Sequence, residues 1–196
     1  ISVVLFAGAD AVALFAPWWL APVGTVLAAL LLVRLFIIYH DAVHGAIFRG
    51  DKLGQYLISM VGVITLSPWS VWRETHDYHH LNNCKLPGTA IGSYPVVTTR
   101  MWRRMSDSEK RTYAAIRHPL NMAFGYFTIF LAGMCASSFY RNPRVHYMSA
   151  IAPLFHFGMV ALVWSTLGLG SAILGVIAPL FIACAVGSYL FYAQHN

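Results

Sequence analysis

Positions 172–192 form an apolar run without a single charge, and positions 21–39 form another with one interruption, Arg34. About 20 mostly apolar residues cross the hydrocarbon core of a bilayer, and only helices or closed barrels satisfy their backbone groups there. Two further apolar runs accompany these: 1–17, broken by Asp10, and 150–167. The tight connections Pro17–Pro22 and Gly168–Ser171 join each to its longer neighbour. This predicts two helical hairpins, at about 1–44 and about 150–192. Trp18 and Trp19, at the first turn, suit the aromatic belt of a membrane interface. Two shorter apolar stretches, roughly 53–68 and 121–139, lie between the hairpins. The expected fold is an all-α membrane protein with four transmembrane helices as two hairpins, plus interfacial helices and a cytoplasmic histidine-rich cap. It reads as one domain over 1–196.

Charged residues make up only 10% of the chain, against about 25% in soluble domains. Of the 13 Lys and Arg, all but Arg34 lie between Arg49 and Arg144, and neither hairpin turn carries one. The positive-inside rule then puts the region of about 45–149 in the cytoplasm and both turns on the other side. The same placement accounts for the net charge of +6 without nucleic acid. Parity decides the short stretches: if 121–139 crossed, His195 would emerge opposite His40 to His80. Neither 53–68 nor 121–139 is therefore expected to cross. Arg34 is expected to snorkel toward the cytoplasmic surface, about 9 Å below His40 along a helix. Cys84, Cys135 and Cys184 form no CxxC pair and no readable disulfide framework. The chain opens without Met inside an apolar run and ends soon after one, so it reads as part of a longer protein, without a cleaved signal peptide.

Nine histidines stand out, and five fall in two short motifs. His40 and His44 are spaced i, i+4 at the end of a predicted helix, so both rings lie on one face. His76, His79 and His80 form HxxHH, which on a helix again presents the rings to one side. Two such faces on one side of a membrane offer five imidazole nitrogens. Unpaired polar rings near a bilayer cost free energy, so a cluster of them points to metal. Spacing alone does not name the metal, since imidazole suits zinc, copper, iron and nickel. Five rings without cysteine exceed what a lone structural zinc takes.

The stretch His40-Asp41-Ala42-Val43-His44-Gly45-Ala46-Ile47-Phe48 resembles the first histidine box of the membrane fatty acid desaturases. Trp72-Arg73-Glu74-Thr75-His76-Asp77-Tyr78-His79-His80-Leu81-Asn82-Asn83 resembles their second. Gly92-Ser93-Tyr94-Pro95-Val96-Val97-Thr98-Thr99 and Arg117-His118-Pro119-Leu120-Asn121 are similar to the bacterial acyl-lipid branch. The likeness runs from about residue 34 to the end.

In that family two iron ions are held by histidines of three boxes plus one further residue. The third box, another HxxHH, follows the last hairpin and is absent from this sequence. His195 resembles the further ligand before it. The resemblance thus implies a metal set of His40, His44, His76, His79, His80 and His195, with two irons as cofactor and O2 as co-substrate. The implied reaction puts a cis double bond into an acyl-lipid or acyl-carrier substrate. Without the third box, this stretch is expected to hold one metal poorly, and the activity belongs to the longer parent. A hydroxylase, epoxygenase or carotenoid oxygenase of the same superfamily, a non-catalytic metal- or lipid-binding bundle, and a zinc-dependent membrane hydrolase are the rival readings.

Supporting roles follow from position. Asp41 and Asp77 adjoin candidate ligands and can accept their second N–H, or else cap helix ends or pair with Arg73. Tyr39, Trp69 and Trp72 lie beside the boxes and are candidates to line a substrate channel, with an interfacial belt as the alternative. His118, His146 and His156 stand alone, and His156 is expected to make a structural hydrogen bond. Arg100, Arg103, Arg104, Lys110 and Arg111 form a basic run suited to membrane lipid headgroups or to an acidic electron donor of ferredoxin or cytochrome b5 type.

Overall fold

The computed structural model describes residues 1–82, 86 and 94–193. Among the described residues the chain is helical with no strand. In order it forms α1 (Ser2–Phe15), α2 (Ala21–Val43), α3 (Lys52–Ile64), α4 (Trp69–Asn82), α5 (Thr99–Arg104), α6 (Asp107–Ile116) and α7 (Pro119–Ala123). Then come α8 (Tyr126–Ser137, wound as π-helix and continued by the α-helical turn Ser138–Arg141), α9 (Met148–Leu167) and α10 (Leu169–Ala193).

Among the described residues three helices are long and apolar enough to cross a membrane: α2 with 23 residues, α9 with 20 and α10 with 25. The first expected span yields only the 14 residues of α1, about 21 Å of helix against a core of about 30 Å. Three helices thus meet the length criterion where the sequence suggested four. α3 and α8, like α1, fall short of that length criterion. The outer faces of α2, α9 and α10 leave Val23, Leu27, Leu30, Leu154, Trp164 and Ile173 exposed, as lipid-facing surfaces do.

Small residues set the spacing of the first hairpin. Gly24 of α2 meets the backbone of Ala9, Val12 and Ala13 of α1, and Ala9, Ala13, Ala21 and Gly24 are all buried. A Cβ on Gly24 would lie 2.7 Å from the Ala9 carbonyl oxygen, so only glycine permits this approach. Thr25 then reaches the second hairpin, its hydroxyl donating to the Leu174 carbonyl at 2.7 Å. Leu32, Val63, Leu66, Phe130, Leu180 and Cys184 fill the core between α2, α3, α8 and α10. His156 in α9 pairs with the Tyr126 hydroxyl at 2.7 Å, the structural bond expected of it.

The turn between α3 and α4 aims the second histidine motif. Leu66 adopts a left-handed φ of 56° while fully buried, a conformation that costs a non-glycine residue about 1–2 kcal/mol. Ser67 N–H donates to the Gly62 carbonyl at 2.7 Å, and the buried Tyr39 hydroxyl donates to the Ser67 carbonyl at 2.8 Å. A side chain on Gly62 would collide with that carbonyl. Tyr39 on α2 therefore fastens the start of α4 one residue away from His40.

Candidate metal centre

α2 delivers His40 in its last turn and His44 as its C-cap, while α4 delivers His76, His79 and His80. Ring nitrogens of His40, His44, His76 and His80 all lie within 4.8 Å of one another. His44 Nε2 is 2.9 Å from His76 Nε2 and 3.2 Å from His40 Nε2, and His80 Nε2 is 3.1 Å from His76 Nε2. His44 and His76 thus each face two other nitrogens, more than one N–H can serve well. Nitrogens about 3.3 Å apart are what a tetrahedral ion with bonds of about 2.0 Å would take. The donor set therefore fits a cation better than it fits itself.

Electrostatics agree. Burial, then the neighbouring rings of His40 and His80, pushes His76 down to about 3. Burial and the same two neighbours also lower His44. His76 therefore stays neutral at any ordinary pH, the form that ligates metal. His40 Nδ1 sits 3.2 Å from Asp41 Oδ1. The Asp41 carboxylate can accept a proton carried at that nitrogen.

Other expected residues are placed differently. His79 is buried beside the group, its ring centroid 5.7 Å from that of His80 and 6.3 Å from that of His76, and it is not among the four converging rings. Asp77 turns to Arg73 at 3.6 Å, the alternative foreseen for it. His195 lies outside the described residues, as do Gly92 and Ser93 of the acyl-lipid-like stretch.

A cavity of about 420 Å³ opens under the rings. His40, Asp41, His76 and His80 line one end, and Leu32, Val33, Phe36, Leu180, Phe130 and Phe191 line much of the rest. A mostly apolar pocket with a few convergent polar groups is the usual form of a ligand site. Of the three channel candidates, Trp72 lines it, stacked on His76 with centroids 4.8 Å apart. Tyr39 and Trp69 do not: Tyr39 is spent on the Ser67 carbonyl, with Trp69 packed edge-on against it. Phe36, Phe130 and Phe191 were invisible as site residues, because an apolar wall inside an apolar helix carries no sequence signal. A second cavity of about 300 Å³ adjoins the far side, lined by Thr75, Tyr94, Asn121, Ser137 and Arg141 among others. Trp72 and Phe191, stacked with centroids 5.4 Å apart, line both.

A "Fatty acid desaturase" of Bacillus subtilis is 29% identical over 177 residues, covering 88% of this chain and 49% of that protein. The "sn-1 oleoyl-lipid 12-desaturase" of Synechocystis is 25% identical over 168 residues, covering 82% and 46% respectively. The "sn-1 acyl-lipid omega-3 desaturase (ferredoxin)" of the same organism is 28% identical over 111 residues, covering 56% of this chain and 30% of that protein. The chain spans about half the length, or less, of these curated relatives. The family model for fatty acid desaturases matches residues 16–196, and so the chain belongs to the fatty acid desaturase family.

Proposed function

We propose that the protein is an O2-dependent acyl-lipid desaturase that introduces a cis double bond at a histidine-held di-iron centre. The observation that carries this is the convergence of four imidazole nitrogens at the polar end of an apolar cavity. His40, His44, His76 and His80 would hold the metals, with His79 and His195 completing the set. When bound, two irons supply the oxidising chemistry that removes hydrogen from an unactivated C–H bond. The chain's own residues do the rest. Asp41 holds the proton of His40 at Nδ1, and Trp72 fixes the plane of His76. Phe36, Phe130 and Leu180 receive the acyl chain and exclude water.

The acyl-lipid assignment is supported by the names of the Synechocystis relatives, one of which includes ferredoxin. For this chain the exposed residues Arg100, Arg103, Arg104 and Arg111 would dock an acidic donor of that kind or of cytochrome b5 type, or else rest on lipid headgroups. The topology proposed is a multi-pass protein whose histidine end faces the cytoplasm. Mass spectrometry of lipids from cells expressing the full-length protein tests the reading. The expected result is acyl chains lighter by two hydrogens. Unchanged unsaturation, or new hydroxyl groups in its place, would overturn it.

A further inference from the structure

His146, which stands alone in the sequence, does not stand alone in the fold. It is 2% exposed and lies in the connection between α8 and α9. Its Nδ1 is 3.1 Å from the Ser70 hydroxyl, and its Nε2 is 3.1 Å from Glu74 Oε2. Glu74 Oε1 in turn meets Arg141 at 3.4 Å. Ser70 and Glu74 are i, i+4 on α4. At about 100° per residue their stripe lies roughly 80–160° around the helix from His76 and His80. One side of α4 thus carries ligand candidates, and another is tied by a buried ring to the connection leading into α9.

The bonding is complete in one tautomer. The ring donates from Nε2 to the Glu74 carboxylate and accepts at Nδ1 from the Ser70 hydroxyl. A buried ring with both nitrogens satisfied is geometrically demanding, and its loss strands the partners it served. Rotation or sliding of α4 would break both contacts. The same motion would carry His76 and His80 away from His40 and His44, where metal ligation tolerates only about ±0.2 Å.

We infer that His146 is a positioning residue: by bridging Ser70 and Glu74 it sets the rotation of α4, and so the distance of His76 and His80 from the α2 histidines. The inference rests on the reading of the cluster as a metal centre, and the test separates the two. The full-length protein, purified in detergent, is titrated with Co(II) while its visible ligand-field band is recorded. Absence of a saturable band in the unaltered protein would overturn the metal reading itself. Given a band, His146→Leu, which keeps volume and drops both polar contacts, is expected to weaken Co(II) binding at least ~10-fold and to shift the band, the scale on which supporting contacts tune metal sites. His146→Gln, which can still donate to Glu74, is expected to stay within ~3-fold of the unaltered protein. A leucine variant that binds with unaltered affinity and spectrum overturns the role, and so does a glutamine variant as weak as leucine. If the leucine variant fails to fold, Ser70→Ala decides: it is expected to weaken binding about 3-fold, and an unchanged affinity overturns the role.

Discussion

The two halves of α2 make opposite kinds of interface. Its first half packs on α1 at Gly24, where a Cβ would meet the backbone of Ala9, Val12 and Ala13. Its last turn packs on α4 through imidazoles whose nitrogens crowd within hydrogen-bonding distance. The first contact is one of shape, small residue against backbone. The second places more lone pairs and N–H groups together than they can mutually serve, at the mouth of an apolar cavity. A fold that tolerates such crowding at one place and not at the other marks the crowded place as the one with a job beyond holding the helices together.

That contrast can be broken at either end. The largest effect is expected from His76→Ala, at the centre of the converging rings. Bound metal and desaturation should both fall more than ~100-fold, beyond what loss of a supporting contact costs, while thermal unfolding without metal stays near that of the metal-free parent. Metal analysis beside a melting curve checks this, and a large loss of stability with metal retained would reverse the assignment. At the other end, Gly24→Leu should lower stability by ~2–3 kcal/mol through overpacking against Ala9 and Val12. The folded fraction should still bind Co(II) with the parent's spectrum, and a changed spectrum would show that the two halves are not independent.

A smaller effect is expected on the cavity wall. Ala183→Phe would fill part of the apolar end. It should reduce kcat/KM for long acyl chains ~10-fold relative to shorter ones, in keeping with ~1–3 kcal/mol per methylene at a hydrophobic pocket, and leave metal content unchanged. Smallest is Arg103→Glu, remote from both interfaces on the exposed face of α5. Turnover should drop ~3-fold at low ionic strength and converge with the parent as salt screens the surface. Identical turnover at every salt concentration would remove the basic run from donor docking.

What was legible in the sequence divides along the same line. Hydropathy suffices for α2, α9 and α10, because a long uncharged run has one physical solution in lipid. The i, i+4 and HxxHH spacings suffice for His40, His44, His76 and His80, because helical period alone sets which rings share a face. The facts that depend on distant pairing were not legible. Asp77 had two possible partners, and Arg73, one turn away on the same helix, holds it. His146 meets residues 72 and 76 positions away, a separation no local pattern encodes. Tyr39, close to the boxes in sequence, turns to the Ser67 carbonyl, while Phe191, far from them, lines the cavity. The first hairpin shows the limit of hydropathy, since apolar character extends over 1–17 but the helix within it spans Ser2–Phe15.

The stacked pair Trp72 and Phe191 is a wall common to two chambers, and one of its faces leans on His76. Volume gained on one side by tilting the indole is therefore taken from the other, and the tilt turns the imidazole with it. An occupant of the chamber away from the histidines would thus be felt at the nitrogens without touching them.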